Sequence, residues 1–194
     1  MAVQDKYMGL VLAGGRSSRM GSDKSLLNYN GSPQREHVRQ LLSPLCERVF
    51  ISVKKTGADD PDYFIADELS LGDIGPMGGI LTAFRKFPHF SWIVAGCDYP
   101  FITVSAFQEL QAAVTDNCLA VAFQNPETQR PEPLLTIYRP PIFPLIEDHF
   151  STAKFSLQRL LEEVSATSLD PENQEWLVSV DTPEIAQKIL RQQS

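Results

Sequence analysis

Short apolar runs that end in glycine or in a polar cluster alternate along this chain with segments whose apolar residues recur every three or four positions. Met8 to Leu12 is such a run and stops at Gly14-Gly15, which predicts a buried strand entering a turn. Val38, Leu41, Leu42 and Leu45 then share a helical face ahead of the β-rich run Val49 to Val53, so strand, helix and strand follow in order. A third strand is expected around Tyr63 to Ala66. Beyond Gly72, Met77, Ile80, Leu81, Phe84 and Phe87 form an apolar helical stripe, and Trp92 to Ala95 predicts a fourth strand ending at Gly96-Cys97-Asp98. Ser105 with Gln108 reads as a capping box for a helix carrying Phe107, Leu110 and Val114.

Past Val114 the strict alternation stops. Leu119 to Phe123 and Leu134 to Tyr138 read as strands separated by the polar stretch Gln124 to Pro133, the pattern of a mixed sheet edge. Ser156 is placed to cap a helix bearing Leu157, Leu160, Leu161 and Val164, Trp176 to Val180 reads as the last strand, and Thr182-Pro183-Glu184 opens a final helix. With no repeat and no break in composition, the expectation is one domain over residues 1–194. It is a single three-layer α/β/α domain with a Rossmann-like, mostly parallel sheet and a mixed edge. A chain of 194 residues, 43% of them hydrophobic, can bury such a core without staples.

Charge and cysteine content narrow the partners. A net charge of −7 argues against nucleic acid, whose binders carry a basic face. The cysteines, Cys46, Cys97 and Cys118, are odd in number and form no Cys-x-x-Cys pair, which fits a reducing compartment. Neither a signal-peptide pattern nor an apolar stretch near the ~20 residues needed to cross a bilayer is seen, so a soluble, cytoplasmic protein without a membrane partner is expected.

In an open α/β sheet ligands bind outside the carboxyl ends of the strands, which directs attention to the residues after Leu12, Val53, Ala66 and Ala95. Gly14-Gly15 lets backbone N–H groups approach phosphate oxygens, and Arg16, Arg19 and Lys24 interleave with the glycines, concentrating cations in an otherwise acidic chain. The spacing is not that of a Walker A loop, because five residues separate Gly15 from Gly21 and Lys24 comes only after Ser22 and Asp23. Nor is it a dinucleotide fingerprint, since the second strand is followed by Lys54-Lys55 where an acid is required. Asp98, at a strand end before Tyr99-Pro100, has the chemistry of a Mg2+ ligand or of a turn cap. Cys97 lacks an evident histidine partner and reads as a packed thiol.

The ordered segment Leu12-Ala13-Gly14-Gly15-x-Ser17-x-Arg19-Met20-Gly21-x-Asp23-Lys24 resembles the signature of the molybdenum cofactor guanylyltransferases. The resemblance continues through Gly75-Pro76-Met77-Gly78-Gly79, Cys97-Asp98-Tyr99-Pro100 and Val180-Asp181-Thr182-Pro183-Glu184. It implies transfer of GMP from Mg-GTP to molybdopterin with release of pyrophosphate. Leu12, Ala13 and Gly14 are then expected against guanine and ribose, with Gly15, Arg19 and Lys24 toward the phosphates. Lys24, Arg19 and Asp98 carry catalysis, Asp98 ligates Mg2+, and Asp67 contacts the nucleotide. GTP and molybdopterin are the implied substrates, and other molybdenum cofactor biosynthesis proteins or recipient apoenzymes the implied protein partners.

Two positions depart from the family pattern. Ser52 stands where asparagine is frequent, with a shorter reach to a base or ribose, and Asp181 stands where the last motif usually has asparagine. Asp181 resembles the cytidylyltransferase pattern and is either a second metal ligand or the cap of the following helix. Gly14 favours the guanylyl branch, because the molybdopterin cytidylyltransferases usually read Leu-Ala-Ala-Gly there. A CTP- or sugar-phosphate-dependent enzyme and a non-catalytic nucleotide-binding regulator are the competing readings. Arg130 and Arg139 are candidates for an anionic pterin site or for simple surface solvation.

Overall fold

In a computed structural model of the chain, residues 6–13, 24–28, 31–57 and 60–180 are described. Among them, seven strands form one sheet: β1 (Tyr7–Leu12), β2 (Arg48–Val53), β3 (Phe64–Ala66), β4 (Ser91–Gly96), β5 (Ala120–Gln124), β6 (Pro131–Tyr138) and β7 (Thr167–Leu169). Their order is β3-β2-β1-β4-β6-β5-β7. The pairs β1–β2, β1–β4, β2–β3 and β5–β7 are parallel, while β6 runs antiparallel to both β4 and β5. That single reversed strand is the mixed element expected from the change of pattern after Val114.

A sheet covered on both faces needs apolar residues at successive positions, and the central strands supply them. Met8 and Leu10 of β1 join Trp92 and Val94 of β4 in one core, under α2 (Pro76–Lys86), α4 (Phe143–Ser151) and α5 (Leu157–Glu163). Val11, Ile93 and Ala95 face the other core, under α1 (Gln34–Leu42) and α3 (Val104–Ala112). The helices therefore form two layers around the sheet, the α/β/α arrangement expected. Phe84 and Phe143 stack with ring centroids 5.5 Å apart, tying α2 to α4. None of the helices among the described residues is long and apolar enough to cross a membrane.

Four local expectations are corrected. Trp176 to Val180 is not a strand: Gln174–Leu177 forms a 3-10 turn, with Trp176 buried against Phe123 at a centroid distance of 6.0 Å. The apolar run was there, but its residues fill the core beside β5 and make no ladder. The seventh strand is Thr167–Leu169, whose mixed polarity suits an edge with one paired neighbour. Helix α3 begins at Val104 with Thr103 at the N-cap and no side-chain cap bond, so Ser105 and Gln108 form no capping box. Helix α4 was not anticipated, because Pro140, Pro141 and Pro144 obscure its pattern, although Pro144 occupies the first turn where proline is tolerated. Ser156 does cap α5, its Oγ accepting from the Arg159 N–H at 3.3 Å. The helix expected after Thr182 lies outside the described residues.

Candidate functional site

Parallel pairing brings the strand ends together. Leu12 is registered beside Ser52 on one side and Gly96 on the other, and the Ala13 N–H donates to the Ser52 carbonyl at 3.2 Å. The Asp67 N–H extends the ladder by donating to the Val53 carbonyl at 3.0 Å. Leu12, Ala13, Ser52, Asp67 and Asp98 thus lie along the carboxyl edge of β1 to β4, where ligands of open α/β sheets bind.

At the end of β2, the Ser52 hydroxyl donates to Asp67 Oδ1 at 2.7 Å, and Ser52 is only 2% exposed. The serine hydroxyl proton is therefore given to the carboxylate, while its oxygen retains acceptor capacity. Burial pushes the Asp67 carboxyl above its usual range, opposed by the Ser52 hydrogen bond and by the charge of Lys54, which both favour the ionised form. Helix α2 passes close over this pair. A Cβ added to Gly79 would sit 2.5 Å from Ser52 Oγ and 2.8 Å from Leu12 Cδ2, so only glycine admits this approach. The turn into α2 also requires glycine at Gly72 and Gly75, with φ of +67° and +68°. Next to Asp67 a cleft of ≈ 210 Å³ opens between Lys54 and Lys55 on one side and the segment from Glu68 to Gly75 on the other.

Asp98 follows β4 in a turn braced from two directions. The fully buried Gln34 at the start of α1 donates Nε2–H to the Tyr99 carbonyl at 3.2 Å, and the Val180 N–H donates to the Asp98 carbonyl at 2.8 Å. A Cβ on Gly96 would fall 2.5 Å from Asp98 Oδ1, so the glycine makes room for the carboxylate. The described chain thus reaches Asp98 at Val180, immediately before Asp181, which itself lies outside the described residues.

Gly14, Gly15 and Arg19 also lie outside the described residues, between Ala13 at the end of β1 and the 3-10 turn Lys24–Leu26. Lys24 opens that turn, which is followed by Leu27, whose carbonyl accepts from the Gln34 N–H at 2.8 Å. Cys97 is a packed thiol as expected. Arg130 pairs with Glu162 at both carboxylate oxygens, and Arg139 donates to the carbonyls of Thr115, Asp116 and Cys118. Arg130 thus sits in an exposed ion pair, and Arg139 donates to a cluster of backbone carbonyls.

Three features emerge only in the structure: the packing role of Gly79, which the sequence motif already named, the Gln34 brace and the Ser52–Asp67 bond. Gly78-Gly79 inside a helical stripe was the available signal, since each glycine there costs ~1 kcal/mol relative to alanine and implies a packing reason. Gln34 and the Ser52–Asp67 bond join residues far apart in sequence and left no local trace.

Residues 9–170 match the MobA-like NTP transferase domain family. A molybdenum cofactor biosynthesis bifunctional protein of Synechocystis sp. is 30% identical over 183 residues, a match covering 93% of this chain and 53% of that protein. The molybdenum cofactor guanylyltransferase of Pseudomonas putida is 30% identical over 183 residues, covering 90% of this chain and 93% of the relative. Among solved structures, molybdopterin-guanine dinucleotide biosynthesis protein A of Archaeoglobus fulgidus superposes with a TM-score of 0.78 at 21% identity, over 95% of this chain and 97% of that one. Sharing the MobA-like domain over most of its length, and matching a relative nearly end to end, the chain belongs to the molybdenum cofactor guanylyltransferase family of nucleotidyltransferases.

Proposed function

We propose that this chain transfers GMP from Mg-GTP to the terminal phosphate of molybdopterin and releases pyrophosphate. The observation that carries the reading is the convergence of Leu12, Ser52, Asp67 and Asp98 at one carboxyl edge of the sheet, from which the glycine- and cation-rich segment 14–24 departs. Leu12 and Ala13 bound the nucleoside side. The Asp67 carboxylate, oriented by Ser52, accepts from the paired N–H donors on guanine, a match that cytosine lacks. Gly14 and Gly15 offer backbone N–H groups to the triphosphate, and Arg19 and Lys24 neutralise its charge.

Transfer then needs no covalent enzyme intermediate. An oxygen of the acceptor phosphate attacks the α-phosphorus, the bond to the bridging oxygen breaks, and pyrophosphate leaves with the electron pair. The protein's contribution is positioning and charge neutralisation. The Asp98 carboxylate, set in the room left by Gly96, suits a hard cation, and Asp181 is the candidate second ligand. Such a carboxylate donor set fits Mg2+, which keeps water and substrate phosphate in its shell. Mg2+ supplies Lewis-acid stabilisation of the phosphate oxygens when bound.

The match of Asp181 to the cytidylyltransferase pattern favours one second reading, with CTP as donor. Incubating the chain with molybdopterin, Mg2+ and equal GTP and CTP, then weighing the product, separates the two. A GMP adduct with stoichiometric pyrophosphate is expected; a CMP adduct, or no adduct, overturns the proposal. In the same assay Asp98→Ala and Lys24→Ala are each expected to lose roughly 100-fold or more in rate.

A further inference from the structure

Glu68 follows Asp67 directly and contributes to the wall of the cleft, yet its backbone and side chain are both held from α2. Its N–H donates to Oγ1 of the fully buried Thr82 at 3.0 Å, and its Oε2 accepts from Arg85 Nη1 at 2.6 Å. The same guanidinium makes a two-pronged contact with Glu147 of α4, Nε to Oε1 at 2.7 Å and Nη2 to Oε2 at 2.8 Å, and lies 5.7 Å from the Phe150 ring centroid. One planar cation thus joins the segment carrying Asp67 to two helices of the layer behind it. Its side chain is 27% exposed, against 33% for Glu68 and 32% for Glu147, so water screens these contacts only in part.

The segment needs such a hold. From Glu68 to Gly75 it contains two glycines at positive φ and the 85%-exposed Leu69, with a single 3-10 turn, Leu69–Leu71. Ser52 fixes one oxygen of Asp67 from the sheet side; the Thr82 and Arg85 bonds fix the next residue from the helix side. We infer that Arg85 is a positioning residue for nucleobase binding, acting through Glu68 to hold the Asp67 carboxylate and the cleft wall at the spacing the guanine edge requires. The inference rests on the proposed placement of guanine at Asp67. A guanidinium serves better than an ammonium because only its fork engages both oxygens of Glu147 while leaving Nη1 for Glu68.

The test uses Glu68→Gln and Arg85→Gln, the double variant, and Arg85→Lys, all in the full chain. GTP and ITP binding are measured by calorimetry in Mg2+, and KM and kcat in the molybdopterin assay. Glu68→Gln keeps the residue's size at a partly exposed position and leaves the core untouched, so it tests the idea independently of any folding defect in the arginine variants. Each glutamine variant is expected to raise Kd and KM for GTP about 3- to 10-fold with kcat within about twofold of wild type, the signature of lost binding common to ground and transition states. ITP, which lacks the 2-amino donor, should lose less. The double variant should be no worse than the more affected single one, because both cut the same link, and Arg85→Lys should recover part of the loss. Wild-type nucleotide affinity in Glu68→Gln, equal losses for GTP and ITP, or a fall in kcat at unchanged KM would each overturn the inference. Absence of any GTP-dependent product from the wild type removes the proposed function instead, so the two failures are distinguishable.

Discussion

Alanine placed at Gly79 and at the adjacent Gly78 makes a controlled measurement of how tightly α2 is pressed onto the strand ends. Both positions are buried in the same helix, so each substitution gains the same ~1 kcal/mol of helix propensity. Their surroundings differ. At Gly78 the new methyl would meet Ile74 Cγ1 at 3.5 Å and Asp67 Oδ2 at 3.7 Å, ordinary contacts. At Gly79 it would meet Ser52 Oγ at 2.5 Å, Leu12 Cδ2 at 2.8 Å and Ser52 Cβ at 3.2 Å. Leu12 can swing its side-chain end away, but Ser52 cannot turn without surrendering its bond to Asp67, so helix or strand must move. Overpacking of this kind costs about 1–3 kcal/mol. Gly78→Ala should therefore be stabilised by up to ~1 kcal/mol, and Gly79→Ala should lie about 1–3 kcal/mol below it. At about 2–4 °C per kcal/mol for a chain of this size, thermal melts followed by circular dichroism resolve the difference. GTP calorimetry should show weaker binding by Gly79→Ala, because the displaced serine no longer orients Asp67. A Gly79→Ala protein melting at or above Gly78→Ala would refute the close approach and the role given to the glycine.

The remaining predictions concern titration, capping and the arginines. With the Asp67 carboxyl raised by burial, the folded chain holds its proton more readily than the unfolded chain. Its contribution to stability is thus most favourable below the unfolded value and declines as pH rises through the raised one. Guanine binding needs the carboxylate and runs the other way, so the Kd for GTP measured from about pH 8 to about pH 5 should rise on acidification, and Asp67→Asn should flatten that dependence. Ser156→Ala removes the one cap bond at the start of α5 and should cost about 1 kcal/mol in chemical denaturation. Burial pushes the Cys46 thiol up to about 12, so peptide mapping after iodoacetamide at about pH 8 should find Cys46 alkylated more slowly than the partly exposed Cys118. Arg139→Ala, which strips donors from three carbonyls, should lower the melting temperature and leave the acceptor KM unchanged; a raised acceptor KM would support the pterin-site reading.

The α/β alternation and the parallel half of the sheet were legible in the sequence because they are local facts. A strand buried on both faces must be apolar at successive positions, and a helix lying on a sheet must carry a stripe. The strand ends that carry Leu12, Ser52, Asp67 and Asp98 follow from the same local pattern, whereas the roles of Leu12, Ser52 and Asp67 are what the family resemblance implies. What the segment from Trp176 to Val180 does was not legible. An apolar run satisfies a core equally well as a turn or as a strand, and only the neighbours, Phe123 among them, decide which. The partner of the Ser52 hydroxyl, Asp67, was likewise set only by the tertiary structure. That partner lies fifteen residues away, and parallel pairing of β2 with β3 brings the two within 2.7 Å. The Arg85 link reaches further still, to Glu147 sixty-two positions on, and depends on α2 and α4 lying side by side on the same face of the sheet. Local sequence specifies which chemical groups stand at the ends of the strands. Which of those groups remain available to a ligand, and which are spent on holding one another, is decided by contacts that exist only once the sheet has closed and its helices have packed.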